Sequence, residues 1–585
     1  MNNNTTVSRE ILDGFPGMDV STSRGKKSCR LQNFRVLSDG SLEKREGVRL
    51  LASLGATVRG ICSFTDGNEE VILAAAGNAL YRIGSDGTIT SSVAFATTIG
   101  KVGFLMFRGE LLLFDGDGIY RYDGGCTASH IQGYAPLYGK NWSGYGYLSD
   151  VVNEPINFAS SHIRIQYLLN EESDYLHVGL HILSVDWVMQ SEYYLEADSY
   201  SVSNDGYAVN FTSPLATGNV VIGLTLDGSY YHDSTFYTAV NGATFDDFAQ
   251  SRAFLFGGSD PSRMFVSVPM KESSLAASKA GYPNSCELYF PKSQSLSFGS
   301  GQSITAVQRL YDRMMILFPD SVWVTPELKT VETNNLQFSP LCNHMGCSAE
   351  NAILMTGAAS PVTVTSGGIY RWKMDPDFIE ECVTERISDA ILPMLGDNFF
   401  TSAKICHYRR RAELWFRDPT DSEGKIFVYG LDTKKWSMFS GIPADELFSC
   451  HGGVGFVDGG CIYLFDTTQA VDNFTDGVQA IEAVYESGFL DFSDPGVRKR
   501  LAGMTVSADL NDGILKMQMR DNGEIADGVM SNEGDPGDMD PSGIYELRLT
   551  SGRFRHARLS LRAPGAARQR IYRAEIYVQK EKGKQ

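Results

Sequence analysis

One five-residue pattern recurs along this chain and constrains its fold more than any other feature. A small or polar residue, an aliphatic, an aromatic and an alternating pair read ALYRI from Ala79, GIYRY from Gly118, GIYRW from Gly368, KIFVY from Lys425 and CIYLF from Cys461, with looser copies RMFVSV from Arg263 and SVWV from Ser321. An apolar run precedes each copy across a turn: EEVILAA, ELLLF, RAFLF, RMMILF, PVTVT, AELWF and GVGFV. A third run stands ahead of several of these, as in GICSF, VGFLMF, ITAVQRL, NAILM and KICHY. Short alternating runs separated by turn residues mark antiparallel meanders rather than helices.

The aromatic anchors are 39, 58, 47, 57 and 36 residues apart, with one gap of 145 between Tyr120 and Phe265. Small sheets repeating at that interval, none able to bury both faces alone, are what a β-propeller arranges around an axis. The reading is therefore all-β, a propeller of about seven blades. The long gap leaves about 100 residues once a unit is subtracted, the size of a small domain. It predicts a β-sandwich inserted at 137–232, where HIRIQYL, HVGLHIL, YSVSNDGYAVNF and NVVIGLTL read as strands. The pattern stops after Cys461, and AGMTVSADL, ILKMQMR, IYELRLTS, RHARLSLR and RIYRAEIYV suffice for a C-terminal β-sandwich over 486–585. Within it, residues 521–540 hold seven acids and few apolar residues, which predicts an exposed loop. The expected division is an N-terminal arm (1–26), a closing strand with blades 1 and 2 (27–136), the insert (137–232), the remaining blades (233–485) and the C-terminal sandwich.

The polar stretch NFRVLSDGSLEKREG, residues 33–47, belongs to this scheme as a clasp. A closed ring of sheets commonly borrows a strand from one terminus to complete its last blade and remove an open edge. Residues 33–50 are the candidate, and their charges predict an outer strand facing water.

Composition limits the function classes. With 43% hydrophobic and 21% charged residues the chain is an ordinary globular one, while 59 glycines and 11% aromatics suit many tight turns between β-prone runs. Ten cysteines are too sparse for a disulfide framework and read as buried thiols. The start MNNNTTVSREILDG lacks the blocks of a secretion signal, and no run of eighteen apolar residues occurs. Residues 541–585 carry eleven Lys or Arg against three acids, a local +8, so the remaining 540 residues hold −27 of the total −19. An acidic body is a poor phosphate binder; a basic end suits an acidic partner, another copy of the chain, or a solvated sheet face.

Catalytic signatures are missing from the sequence. No phosphate loop ending in Gly-Lys-Ser, zinc-protease histidine pair or Gly-x-Ser-x-Gly elbow occurs, and GYGYLS from Gly144 lacks the third glycine of a dinucleotide fingerprint. One cluster has metal-ligand chemistry: Cys342, His344 and Cys347 in LCNHMGC, with Cys406-His407 and Cys450-His451 at matching positions of neighbouring blades. Adjacent strand residues point to opposite faces, so the expectation is buried thiols beside surface histidines, with no metal, cofactor or catalytic residue. The basic runs HYRRR (Arg409, Arg410, Arg411) and DPGVRKR (494–500) lack interleaved aromatics and read as solvated turns or subunit contacts.

The N-terminal run GFPGMDVSTSRGKKSCRLQNFRVLSDGSLEKREGVRLL resembles the opening of tailed-bacteriophage virion proteins of the tail nozzle or packaged-DNA stabilisation type. GCSAENAILMTG with SGGIYRW, YSVSNDGYAVNFTSPLATGNVV and FLDFSDPGVRKRLAGMTV extend the resemblance along the chain. It implies a structural protein rather than an enzyme: a ring of six copies in the virion neck or tail, assembled in the host bacterial cytoplasm. Such a ring sits below the portal or adaptor ring and beside tail fibres or tailspikes, without inserting in a membrane. It retains packaged double-stranded DNA and passes it through a central channel on ejection, without specific binding. Two other classes compete. One is a virion-borne propeller enzyme acting on host glycans; the other is an adhesin whose insert binds glycans through Tyr145, Tyr147 and Trp187.

Overall fold

The structure is a computed structural model that describes residues 7–580 apart from 22–27, 68, 132–137, 141–155, 248–249, 269–287, 299–300, 330–335, 358–359, 375–381, 451, 467–469, 476, 512, 521–523, 532–542 and 548–552. Seven antiparallel sheets follow one another as blades of a propeller. Blade 1 runs Val58–Asp66, Glu69–Ala76, Ala79–Ile83, Ile89–Val93, and blade 2 runs Gly103–Phe107, Glu110–Phe114, Ile119–Gly124, Thr127–His130. Blades 3, 4, 5 and 6 start at Asn241–Asp246, Ala306–Leu310, Ile353–Met355 and Lys404–Tyr408, each with four strands in chain order. The third strands are the recurring motif: Ala79–Ile83, Ile119–Gly124, Arg263–Val266, Val322–Val324, Gly368–Lys373, Ile426–Gly430 and, in blade 7, Cys461–Asp466.

The second strands explain why single sheets cannot stand alone. Leu73, Ala75 and Leu80 of blade 1 pack on Leu111, Leu113 and Tyr120 of blade 2, while Ile72, Ala74 and Ala76 on the opposite face pack on Phe448, Cys450 and Ile462 of blade 7. Each blade is apolar on both faces and buries them between two neighbours, which makes a closed ring the stable arrangement. The first strands stand side by side at the axis, blade 1 touching both blade 2 and blade 7. Glycine permits that closeness: a Cβ on Gly60 would collide with the carbonyl of Val102, and one on Gly103 with that of Val240.

Blade 7 has only three strands of its own, Glu446–Cys450, Gly453–Asp458 and Cys461–Asp466, and its fourth is Gly47–Ser53 from the N-terminus. The clasp is thus not residues 33–50 but a shorter strand shifted toward blade 1, overlapping that stretch only at 47–50. The hairpin ahead of it, Phe34–Val36 with Leu42–Lys44, instead joins a sheet with the last strand of the chain, Arg570–Lys580, through Leu42↔Ile571 and Glu43↔Arg570. Most of its charges do not face water: Arg35, Lys44, Arg45 and Glu46 are all buried, while Asp39 at the turn is exposed.

The insert between blades 2 and 3 forms two sheets, one around Gly218–Leu226 and one of Ser173–His177, Ala208–Leu215 and Tyr200–Val202, enclosing Ile163, Ile165, Val209, Ile222 and Leu224. The C-terminal β-sandwich is continuous with blade 6. Its outer strand Trp436–Phe439 pairs with Ser28–Gln32, which leads through Ala483–Ser487 and Arg558–Ala563 to Ile514–Arg520. The acidic segment 521–540 is not wholly a loop. Glu524–Ser531 is a strand at the end of that sheet, paired with Ile514–Arg520; the rest of the segment lies outside the described residues.

Candidate functional site

The first strands place a polar residue at or just before the start of six blades: Arg59, Lys101, Asn241, Glu350, Lys404 and Glu446. Together they line an axial cavity of about 520 Å3. Lys101 Nζ reaches Glu350 Oε1 at 2.7 Å and Asn241 Oδ1 at 2.7 Å, and Asn241 Nδ2 donates to the same Glu350 oxygen at 2.7 Å. Asn351 Nδ2 donates to Asn241 Oδ1 at 2.8 Å, so blades 2, 3 and 5 are tied across the axis. Lys404 pairs with Glu446 of the next blade at 2.9 Å. Burial pushes the Glu350 carboxyl up, but the Lys101 charge and hydrogen bond outweigh it and hold the group below its ordinary value. Burial likewise opposes the Lys404 ammonium, and Glu446 more than restores it. Arg59 is held by the carbonyls of Gly100, Gly77 and Thr97. The cavity is self-compensating: each of these lysines has a carboxylate, and none of the contacts pairs a nucleophile with a base.

These residues escaped the sequence reading, although a signal existed. The runs GICSF, VGFLMF, NAILM and KICHY were legible as first strands, and the polar residue beside each one's start is what reaches the axis. Polarity at a strand's beginning is ordinary, so only ring closure shows that six such residues converge.

The cysteine and histidine cluster is dispersed. Cys342 ends the outer strand of blade 4, its sulfur 3.7 Å from His344 Nδ1, and Cys347 is buried in the connection to blade 5. Cys406 and Cys450 lie on the first strands of blades 6 and 7, where Cys406 Sγ meets Ser449 Oγ at 3.1 Å. Burial raises the Cys347 and Cys450 thiols to about 12 and Cys406 to about 11. Burial, helped by Arg409, lowers His407. Among the described residues no three His, Cys, Asp or Glu side chains gather around a point that could hold an ion; His451 is outside them. Trp187 is buried, packed on Gly223 and Val221, and is not an exposed glycan-binding ring. Tyr145, Tyr147 and the GYGYLS run lie outside the described residues.

The strongest electrostatic feature is the buried hairpin. Arg35 meets Glu46 at 2.5 Å and Glu413 of blade 6 at 3.1 Å. Arg411 bonds Glu43 and Glu46 at 3.0 Å each, so the third cation of HYRRR faces inward rather than forming a solvated turn. Arg45 clamps both oxygens of Asp472. Burial raises Glu46, but Arg35 and then Arg411 bring it down to about 2, whereas burial dominates at Glu413 and raises it. Burial, followed by Arg45, lowers Lys44 to about 8. The basic tail turns inward as well: Arg568 bonds Glu43, Arg570 bonds Asp39, Arg562 faces Glu482 and Glu486, and Arg573 pairs with Glu575. Much of the tail's positive charge is thus spent on acids of its own chain.

No protein-family model and no curated protein matches this chain. Among solved structures, the WD40 domain of Pan2 from Neurospora crassa aligns with 73% of this chain and 97% of that chain, at 8% identity and a TM-score of 0.34. The propeller assignment rests on the seven sheets themselves.

Proposed function

We propose that this chain is a non-enzymatic structural subunit of a tailed-phage virion, a ring-forming nozzle below the portal that retains packaged DNA and provides the channel for its ejection. The observation that carries this reading, beside the sequence resemblance, is the internal pairing of the tail arginines with Asp39, Glu43, Glu482 and Glu486. It leaves a strongly acidic molecule with part of its cationic end neutralised, and a wall of that sign repels phosphate and lets DNA slide. A single propeller is not the conduit. Its axial cavity of about 520 Å3 is crossed by the Lys101–Glu350 pair and is far smaller than a duplex, whose major groove alone is about 12 Å wide. The passage therefore lies between copies, with portal or adaptor and tail fibres as neighbours.

Anisotropy with duplex DNA across a salt series tests this. The expected result is weak binding that disappears by physiological ionic strength, with a shallow salt slope because few phosphates are neutralised. Tight binding that persists at high salt would overturn the sliding-channel account, and cleavage of a host glycan by the purified chain would favour the enzyme class instead.

A further inference from the structure

Two surfaces of opposite charge stand on different additions to the propeller, the C-terminal sheets and the insert. The first is basic and is built by a contact between segments distant in sequence. Lys499 and Phe554 form an isolated antiparallel bridge, each backbone N–H donating to the other's carbonyl, at 2.7 and 3.0 Å. The bridge joins the RKR run to the turn at 553–556. Lys499 is buried at its centre, its ammonium donating to the carbonyls of Asp494, Val497 and Arg555. Around it Arg498, Arg500, Arg553 and Arg555 are all exposed. This patch sits at the end of the strand Arg570–Lys580 where Lys580 faces Lys499; the opposite end, Arg570, meets Glu43 beside blade 6. Ten residues of strand separate the two ends, about 30 Å.

The second surface is acidic and aromatic. Residues 137–232 hold eleven acids against Lys140 and Arg164, a net −9. Strand registers place three of these acids, Glu171, Glu172 and Glu192, at the end away from blade 3. His162 and Ile182 pair with Thr225 and Leu226 near the junction with blade 3, whereas Leu169 and Gln190 pair with Gly218 and Val220 at the other end. Beyond that other end lie the exposed Glu171, Glu172 and Glu192, with Tyr193 and Tyr194 exposed at 77% and 53%. Ser191 and Glu192 both take positive φ, 49° and 73°, in the two-residue turn that presents the tyrosines.

The two surfaces belong to parts attached at different blades. The insert leaves between blades 2 and 3, and the C-terminal sheets grow from blade 6, three blades away in either direction. An acidic tyrosine-bearing tip and an arginine patch are built on separate additions to the propeller, and their charges are complementary between copies. Tyrosine and arginine are also the residues that interface centres favour. We propose that the 171–172 and 191–194 turns of one copy dock on the 498–500 and 553–556 turns of the next, a head-to-tail contact of the kind that builds a ring when the rotation between successive copies closes. This deepens the ring-forming reading above and rests on it. The partner is a second copy of this chain; DNA on the arginine patch is the competing occupant.

The test uses the full chain. Light scattering and sedimentation across concentration and salt are compared for the wild type, for Arg498→Glu/Arg555→Glu and for Glu172→Arg/Glu192→Arg, with circular dichroism confirming that each variant is folded. Each reversal alone should raise the concentration needed for assembly by about tenfold or more, and high salt should do the same to the wild type. Mixing the two variants sets the reversed positions of one surface against the reversed positions of the other and should restore hetero-assembly. Wild-type rings whose mass neither reversal alters would overturn this contact while leaving the ring-forming reading intact. A wild type that stays monomeric at every concentration would overturn both. Loss of duplex DNA binding in Arg498→Glu/Arg555→Glu, with assembly unchanged, would assign the patch to nucleic acid and overturn the docking.

Discussion

The N-terminal hairpin and the propeller axis use the same side-chain chemistry with opposite consequences. At the hairpin, Arg35 and Glu46 have side chains 2% and 1% exposed and sit 2.5 Å apart among Glu413, Glu43 and Arg411. At the axis, Lys101 and Glu350 are 36% and 46% exposed at 2.7 Å. Distance barely separates the two pairs; burial does. The hairpin charges have given up water and depend on one another, so losing one leaves another stranded. The axial charges open on a cavity and lose little when unpaired. The hairpin network therefore acts as a joint that fixes how the N-terminus, blade 6 and the C-terminal sheets fit together. The axial pairs fill a space that ring closure has already defined.

The largest expected effect is at Arg35. Arg35→Met leaves Glu46 and Glu413 buried without their shared cation and should lower unfolding stability by about 3–5 kcal/mol, read as a fall in denaturant midpoint at unchanged slope. A loss below about 1 kcal/mol would mean that the network tolerates an empty place and would dissolve the contrast with the axis.

Acid titration sharpens the same contrast. Glu46 is held at about 2 against an ordinary 4.5, so its stabilising contribution is complete above about pH 4.5 and drains away as the pH falls toward 2. Glu413, raised by burial, works in the opposite sense, gaining rather than losing as it protonates. Glu46→Gln should thus be less stable than the wild type at neutral pH by up to about 3 kcal/mol. The difference should shrink steadily between pH 4.5 and 2. A constant difference across that range would show that the carboxylate's charge is not what the site uses.

The smallest effect belongs to the axis. Lys101→Met should lower unfolding stability by less than about 1 kcal/mol and leave the fold intact, because Asn241 and Asn351 still satisfy one another and Glu350 keeps access to water. A shift comparable to that of Arg35→Met would make the cross-axis contact a structural keystone instead of a filler.

Much of the propeller was legible without coordinates, because its determinants are local. A strand that alternates, a turn, and an aromatic third strand follow one another within a few dozen residues, and each copy of the motif carries its own pairing partner next to it. The clasp was legible in principle but not in place. The chain offers several short extended runs between 28 and 53, and a blade edge accepts any of them as far as backbone pairing is concerned. Gly47–Ser53 is selected by packing: Val48 and Leu51 enter the cores between blades, and the backbone at Gly47 lies so close to Val471 that a Cβ would not fit.

The charges mark the limit most clearly. Sequence alone determined that the body is acidic, that the last 45 residues are basic and that residues 33–47 are rich in ions. Whether an ion is solvated or buried depends on whether a partner of opposite sign arrives from elsewhere, and here the partners are hundreds of residues away: Glu413 for Arg35, Asp472 for Arg45, Arg568 for Glu43. Polarity read along the chain therefore predicted water where the fold supplies countercharge. Backbone pairing and apolar alternation are decided by neighbours in sequence, while the cost of burying a charge is decided by neighbours in space. Only the tertiary structure brings those together.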